Sequence, residues 1–458
     1  MDDNRHHAIV LGASMAGLLA ARVLADEYER VTVVERDPLP PAADNRRGVP
    51  QGRHGHTLLP SGADIIDELF PGLLGELVAA GAPRLDNYTA VRFVPDGVHR
   101  LAPPAPPVEF LHQASRPLLE AAVRTRIRGL TNVEILDGCA FVGLVTSAAR
   151  DRVTGARVFR HGAPAEQVLT ADLVIDATGR GSRTPTRLAE LGYRRPPEDE
   201  VEIDLRYASR LIRFEPGAVP EQLTLIGPTP RRPRAMALFA YENDTWLFTV
   251  SGYAGHHPAA DYRAMVEFAA PFAPPHIVAA LRDARPLADV STFRFRANRR
   301  RRYERMRRFP RGLLVVGDAM CSFNPIYGQG MSVAAKQAIV LRHCLRRGDG
   351  RLARRFFRLA ARPVGTAWRM AVGADLALPQ VDGPRSPAVR LGNAYVHRVL
   401  VAAEHDPVVA ARFLRVSAFL DKPSRLMAPS IIARIIARII IGNRRAEPDR
   451  QDTRIVFR

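Results

Sequence analysis

Residues 7–35 read HAIVLGASMAGLLAARVLADEYERVTVVE and contain the clearest structural pattern in the chain. Its spacing predicts a short buried strand, a tight turn, a helix and a second strand. In this unit Gly12 permits the sharp turn, and Gly17 lets the helix pack closely on the strand. The start of the helix then presents unpaired N–H groups and a partial positive charge to an anion. The pattern therefore predicts a dinucleotide-binding unit.

Two residues refine this prediction. Glu35 ends the second strand, where an acid bonds a ribose hydroxyl, and this favours an unphosphorylated adenosine, as in FAD or NAD. Ser14 replaces the middle glycine of the usual G-x-G-x-x-G pattern, and its small hydroxyl can itself bond phosphate. A purely structural turn is the alternative.

A second stretch, RGLLVVGDAMCSFNPIYGQGMS at 311–332, indicates FAD rather than NAD. It predicts a buried strand followed by Asp318, then a loop, then a helix that begins near Gly330. We expect Asp318 to bond a ribityl hydroxyl and Pro325 to fix the loop. The helix start can aim N–H groups at flavin N1 and O2, where negative charge collects on reduction. An NAD domain needs no such second loop.

Three sequence marks occur in this order along the chain: GASMAG…VVERD at 12–37, LVIDATGRGSR at 173–183, and GDAMCSFNPIYGQGMS at 317–332. Together they resemble the class A flavoprotein monooxygenases, although an Ala-Thr pair follows Asp176 where that group tends to have Asp-Gly. A further segment, RRGVPQGRHGHTLLPSG at 46–62, resembles the actinobacterial polyether-type epoxidases and their polyketide-tailoring relatives. The similarity extends over most of residues 5–345.

The resemblance implies further contacts. Arg47 would approach the FAD phosphates, the Val49 backbone would approach the flavin edge, and Arg116 would reach the FAD diphosphate or ribose. An arginine that faces water is the alternative for Arg116. The predicted cofactor-binding residues are Gly12, Ser14, Met15, Ala16, Gly17, Glu35, Arg36, Arg47, Val49, Arg116, Asp318, Pro325, Gly328, Gly330 and Met331.

The resemblance also implies an activity. One oxygen of O2 would enter an apolar, alkene-bearing substrate, such as a polyketide or terpenoid, through a flavin C4a-hydroperoxide. NAD(P)H would visit as a transient reductant, because only one dinucleotide-binding unit is visible. The sequence shows no clear base for activating a phenol, which favours epoxidation. Hydroxylation by the same class and flavin-dependent alkene reduction remain alternatives. His54 is a candidate general acid, with a hydrogen-bonded structural histidine as the other interpretation.

Two other functions are less consistent with the sequence. Flavin halogenases use a lysine early in the chain and a Trp-x-Trp-x-Ile-Pro motif. No lysine precedes Lys336 here, and the tryptophans are Trp246 and Trp368. The formal net charge of +19 fits a nucleic-acid binder. However, almost all basic residues are arginines, which indicates a compositional bias, and nucleic-acid binding leaves the three marks unexplained.

The amino-acid composition and the spacing of the cysteines predict a globular cytoplasmic protein without a metal site. Of 458 residues, 47% are hydrophobic, and no apolar stretch reaches the roughly 18 residues of a membrane span. We see no signal peptide, and the three cysteines lack metal-ligand spacing.

The predicted fold is α/β: a Rossmann-like FAD-binding domain of glutathione-reductase type, with an inserted mixed β-sheet and a helical C-terminal region. The FAD domain is discontinuous, because the sheet that forms the substrate chamber interrupts it. The predicted boundaries are 1–85, 110–185 and 290–355 for the FAD domain, 86–109 and 186–289 for the substrate domain, and 356–458 for the helical region.

The segment SIIARIIARIIIGNRR, 430–445, predicts an amphipathic helix. We expect it to pack on the body of the protein, with Arg434 and Arg438 in water. A surface helix that contacts a membrane peripherally is the alternative.

Overall fold

The computed structural model describes residues 5–85, 88–108 and 111–445, with only the backbone at 439 and 441–445. Strands occur in both halves of the described chain. They are β1 (His7–Leu11), β2 (Arg30–Val34), β3 (Arg84–Leu85), β4 (Val91–Val94), β5 (Leu111–His112), β6 (Val133–Leu136), β7 (Cys139–Thr146), β8 (Val153–Arg160), β9 (Gln167–Thr170), β10 (Leu173–Asp176), β11 (Glu198–Arg213), β12 (Leu223–Ile226), β13 (Arg234–Tyr241), β14 (Thr245–Gly252), β15 (Arg285–Pro286), β16 (Ser291–Arg301), β17 (Leu313–Val315) and β18 (Cys321–Ser322).

Helices connect these strands and form the C-terminal part of the described chain. They are α1 (Met15–Ala25), α2 (Pro60–Leu69), α3 (Leu73–Ala79), α4 (Arg116–Arg128), α5 (Thr184–Glu190), α6 (Tyr262–Ala269), α7 (Pro275–Asp283), α8 (Gly330–Leu345), α9 (Leu352–Asp375), α10 (Pro387–Ala403), α11 (Pro407–Ser417) and α12 (Pro429–Arg445).

A parallel sheet of order β17-β10-β1-β2-β6 forms the first layer. All five residues of β1 are buried, as expected for a central strand covered on both faces. The strand, turn, helix and strand predicted for residues 7–35 are observed as β1, α1 and β2. Helix α1 packs against both β2 and α8. The predicted fold class is confirmed.

A mixed sheet of order β18-β16-β11-β14-β13-β12-β4 forms the second layer, with β15 added beside β11. Side chains of β13 serve both faces of the sheet: Leu238 packs in the cluster with α6 and α7, whereas Ala235, Ala237 and Phe239 line a cavity. Because β16 belongs to this sheet, a boundary near residue 290 does not separate the two layers.

Helix α12 packs on the body of the protein. Ile431 and Ile435, one turn apart, are buried in an apolar cluster with α10 and α11. Arg434 and Arg438 do not simply face water, because they pair with the buried carboxylate of Asp406 at 3.1 and 3.7 Å. The expected exposure of both arginines to water is nevertheless observed, since their side chains are 47% and 38% exposed, and only the pairing with Asp406 was not predicted.

None of the helices in the described ranges combines the length and the apolar character that a membrane crossing requires.

A buried carboxylate connects three parts of the fold. Asp375, the last residue of α9, is fully buried and accepts hydrogen bonds from Asn298 on β16 at 2.8 Å and from Asn324 at 2.7 Å. The hydroxyls of Tyr327 and Tyr253 donate to it at 2.9 and 3.4 Å. Asn324 and Tyr327 belong to the loop before α8, so this polar cluster joins that loop to the mixed sheet and to the C-terminal helices.

Burial has a clear electrostatic effect on this group. It raises the pKa of the Asp375 carboxyl to about 6, although the four donors oppose the shift by favouring the charged form. In the unfolded chain the same carboxyl would titrate near its ordinary value of about 4. The proton is therefore bound more tightly in the folded state than in the unfolded state.

We predict that the Asp375→Asn variant loses one component of the pH dependence of stability. As pH rises from about 4 to 6, the unfolded wild-type chain releases a proton that the folded chain retains, so the contribution of Asp375 to the free energy of unfolding falls. Between about pH 4 and 7 the variant should therefore gain about 3 kcal/mol relative to wild type. Urea unfolding of both proteins at several pH values measures this difference.

Asp151→Asn is the control for this experiment. The Asp151 carboxyl is exposed, and hydrogen bonds from Ser147 and Arg311 lower its pKa, so it stays ionised in both states above about pH 5. Its curve should run parallel to that of wild type above this pH. Parallel curves for wild type and Asp375→Asn across the whole range would contradict the prediction.

Candidate functional site

Three loops meet at one edge of the parallel sheet. The first follows β1 and begins at Gly12, the second starts with Asp176 at the end of β10, and the third follows β17 and carries Asp318. The three strands are adjacent, in the order β17-β10-β1, and the carboxyl ends of parallel strands share an edge. The three marks found in the sequence therefore surround one place in the fold.

Two glycines shape the first loop. Gly12 has a φ of +105°, and a Cβ there would lie 2.6 Å from the carbonyl oxygen of Ala177. A Cβ on Gly17 would lie 1.8 Å from the carbonyl oxygen of Gly12. Only glycine fits at either position, so the reasons inferred from the sequence for both residues are observed.

Arg46, rather than its neighbour Arg47, is buried behind the loops of the site. Its buried guanidinium pairs with Glu35 at 3.2 Å and with Glu120, and it donates to the carbonyl oxygen of Ala13 at 3.0 Å. Arg47 is exposed, and neither arginine lines the cavity itself. Either of two adjacent arginines satisfies the sequence pattern, and the tertiary fold decides which one turns inward.

Arg116 is buried rather than facing water. It donates to the Ser14 hydroxyl at 2.8 Å and to Glu120, one turn further along α4, at 3.2 Å. Ser14 in turn donates to Glu120 at 3.1 Å, and no described side chain caps the start of α1. The first N–H groups of α1 therefore remain available for an anion beside Arg116.

Asp176 organises the second loop internally. Its carboxylate accepts hydrogen bonds from the Thr178 backbone at 2.9 Å and from the Thr178 hydroxyl at 2.6 Å. The Ser182 and Thr184 hydroxyls donate to it at 2.5 and 2.6 Å. The Ala-Thr pair after Asp176, which departs from the resembled pattern, thus supplies two of the four donors.

The third loop directs Asp318 into the cavity. Its side chain lines the cavity and is exposed to that space, although many protein atoms surround the carboxylate. Burial raises the pKa of the Asp318 carboxyl, while the charges of Arg180 and Arg116 oppose this shift. Arg180 was not predicted from the sequence, and its guanidinium carbon lies 4.3 Å from the centre of the Phe295 ring.

The start of α8 is open to the cavity. No described side chain caps this helix, and a Cβ on Gly330 would meet no atom within 4 Å. Thr57 Oγ1 and Gln329 Oε1, both on cavity-lining residues, are buried and without a hydrogen-bond partner in the part of the chain that the structure describes. Free N–H groups, unpaired acceptors and empty space fit a polar ring edge of the kind that FAD presents.

Most of the predicted site residues line one continuous cavity of about 2250 Å³. Gly17 lies outside its lining, under the first turn, and Arg47 lies outside it on the surface. The predicted residues that line it are Gly12, Ser14, Met15, Ala16, Glu35, Arg36, Val49, Arg116, Asp318, Pro325, Gly328, Gly330 and Met331.

The cavity continues beyond these polar loops into an apolar chamber. One wall is the mixed sheet, with Leu225 and Phe239, and the other is formed by C-terminal helices, with Trp368, Leu400 and Phe413. Sequence reasoning assigned the chamber to the sheet alone. The helical wall was not predicted, because apolar residues at helical spacing form the same sequence pattern whether they pack in a core or line a cavity.

His54 lies in this cavity as a hydrogen-bonded histidine. Its Nδ1 lies 2.7 Å from the Ser209 hydroxyl, which lies 2.7 Å from Thr249 Oγ1. Burial, with a smaller effect from Arg53, lowers the pKa of His54 to about 4. The imidazole is therefore neutral near pH 7 and holds no extra proton to donate, which supports the structural interpretation.

Comparison with known proteins agrees with this geometry. The family model described as Squalene epoxidase matches residues 251–352, which include β16, β17 and the loop that carries Asp318. The kynurenine 3-monooxygenase of Salinispora tropica is 28% identical over 407 residues, covering 86% of this chain and 83% of that protein.

Among solved structures, the flavin-dependent brominase Bmp2 shares the fold, with a TM-score of 0.64 at 16% identity over 96% of this chain and 100% of the brominase. Protein Rv3254 of Mycobacterium tuberculosis is 39% identical over 456 residues, covering 96% of this chain and 94% of that protein. The chain therefore belongs to the family of protein Rv3254, within the flavin-dependent monooxygenase class.

Proposed function

We propose that this protein is an FAD-dependent monooxygenase that inserts one oxygen of O2 into an apolar, alkene-bearing substrate, with NAD(P)H as transient reductant. The observation that carries the proposal is the division of the cavity. Polar loops of dinucleotide-binding type form one end, and an apolar chamber of sheet and helix side chains forms the other. Such a chamber fits a hydrocarbon substrate and excludes water.

Each part of the cofactor has residues suited to hold it. Glu35 would bond the adenosine ribose, and the start of α1 with Ser14 and Arg116 would bind the diphosphate. Asp318 would bond the ribityl chain, and the uncapped start of α8 would face the flavin ring. When bound and reduced, FAD supplies the electrons that activate O2 and allow one oxygen atom to be transferred.

The protein's own contribution is to position the substrate and keep water out. The carbon to be oxidised must reach the space beside Asp318 and α8, which the Asp375 cluster holds in place through Asn324 and Tyr327. Three tyrosines that bond Asn324 or Asp375 are poor bases, because burial raises the pKa values of Tyr207, Tyr253 and Tyr327 well above the ordinary value. An alkene needs no such base, whereas a phenol does.

Aromatic hydroxylation is the second candidate. It is favoured by the similarity to kynurenine 3-monooxygenase, whose name identifies an aromatic amino acid as the substrate of that protein. An amino acid would require charged partners for its ammonium and carboxylate groups. Charged residues such as Asp96 and Arg369 also line the cavity, but the side chains of its far part are mainly aliphatic and aromatic, which is better suited to a hydrocarbon.

We predict that the protein contains FAD held without a covalent bond. Acid precipitation should leave the polypeptide colourless and release all yellow chromophore into the supernatant. Chromatography of the supernatant against FAD and FMN standards identifies the nucleotide. Colour retained on the polypeptide, or FMN in place of FAD, would contradict this prediction.

We predict that Asp318→Ala weakens FAD binding at least about tenfold. The substitution removes a hydrogen bond to a charged group, worth roughly 1.5–3 kcal/mol. Fluorescence titration of the apoprotein with FAD measures the affinity, and circular dichroism checks the fold. Asp151→Ala, which removes an exposed acid paired with Arg311, is the matched control. Equal FAD affinities of the two variants would show that Asp318 does not contribute to FAD binding.

The oxygen-transfer proposal predicts a mass gain of one heavy oxygen from ¹⁸O₂, because the second oxygen atom leaves as water while one NAD(P)H is consumed. Squalene, as a long apolar polyene, and kynurenine, as the aromatic alternative, are the first substrates to test. Mild aqueous acid then opens an epoxide to a diol but leaves a simple alcohol unchanged. A product that gains two hydrogens and no label would identify an alkene reductase instead.

A further inference from the structure

Two histidines and an aspartate meet at the rim of the cavity, away from the predicted cofactor residues. Asp96 and His99 lie in the segment that follows β4, and His397 lies on α10. One nitrogen or oxygen atom from each side chain lies within 4.8 Å of the other two. The sequence analysis predicted no metal site, because ligands about 300 positions apart show no local spacing.

The carboxylate of Asp96 is oriented before any ligand binds. Its Oδ1 accepts hydrogen bonds from the backbone N–H groups of Val98 at 3.1 Å and His99 at 2.9 Å. This leaves Oδ2 directed at the imidazoles, 2.7 Å from Nδ1 of His99 and 3.9 Å from Nδ1 of His397. The ligands of a tetrahedral zinc ion stand about 3.3 Å apart, which follows from metal–ligand bonds of about 2 Å.

The two elements that carry these residues are held together independently of them. Ala102 donates a backbone hydrogen bond to Ala403 at the end of α10, at 2.9 Å. Leu101 is buried in the same apolar cluster as Val399 and Leu400 of α10. The residues therefore stay close without a metal, and binding one requires only small movements of side chains.

We propose that Asp96, His99 and His397 bind a divalent transition metal ion of the zinc type. Two imidazole nitrogens and one carboxylate suit Zn²⁺, Ni²⁺ or Co²⁺ rather than Mg²⁺ or Ca²⁺, which prefer oxygen ligands. Three protein ligands leave a fourth position for water. Because Asp96 and His397 also line the cavity rim, the ion would fasten the segment after β4 to α10 beside the chamber opening.

The site is tested by calorimetric titration of the tag-free holoenzyme with ZnCl₂. We expect one Zn²⁺ per chain with a dissociation constant below about 100 µM, and binding at least about tenfold weaker in His99→Ala and His397→Ala. His405→Ala is the matched control: His405 is an exposed histidine of the same helical region, beside Glu404, and its removal should leave binding unchanged.

Hydrogen exchange gives a second measurement. In the wild-type protein, Zn²⁺ should slow exchange in residues 94–101 and 393–400, and it should have no such effect in His397→Ala. Because the His397 side chain is 63% exposed, this variant should fold normally and retain FAD. Absence of a stoichiometric binding step, or Zn²⁺ binding that survives in His397→Ala, would overturn the proposal.

Discussion

The carboxylate of Asp375 is the constraint on which the geometry of the cavity depends. A buried charge is costly unless several donors satisfy it, and Asp375 has four, from Asn298, Asn324, Tyr253 and Tyr327. These donors come from the mixed sheet, from the residue that follows β14 and from the loop before α8. Losing any one of these donors would leave the carboxylate short of a hydrogen-bond partner. The hydrogen bonds therefore hold the mixed sheet, the loop before α8 and the C-terminal helices in one arrangement.

This arrangement explains how one cavity can have two chemically different ends. The polar end is built from loops at the edge of the parallel sheet, where backbone N–H groups and acids are already directed at the open space. The apolar end is built from side chains of the mixed sheet and the C-terminal helices. Asp375 sits where these parts join, because it ends α9 of the helical wall and accepts hydrogen bonds from Asn324 and Tyr327 of the loop that precedes α8.

The sequence is informative where one short segment contains the whole interaction. The turn of Gly12 and Gly17, the position of Glu35 directly after β2 and the order of strand, loop and helix around Asp318 were all predicted, because each depends on neighbouring residues. Asp375 was not predicted, because an acid in a helix is ordinary until the fold shows that the sheet and the loop surround it.

Arg46 and Arg47 show that the sequence alone also cannot tell which of two adjacent residues is buried by contacts with distant parts of the chain. Both are arginines in a loop, and only the packing of α4, which brings Glu120 and Arg116 to the loop, selects Arg46. Buried arginines need counter-charges, and here Glu35 and Glu120 supply them. An incoming diphosphate would therefore be recognised by hydrogen-bond donors and the helix start more than by an excess of positive charge.

Acidic partners also neutralise many of the arginines behind the net charge of +19. In the densest basic run, at 299–308, Arg299 pairs with Glu200 at 2.7 Å, and Arg301 pairs with Glu198 at 3.2 Å. Both pairs cross between β16 and β11, whose opposed residues carry opposite charges, so much of this run stabilises the mixed sheet. Net charge is a property of the whole chain, whereas the buried charges beside the cavity, such as Arg46 and Arg116, already have partners of opposite charge.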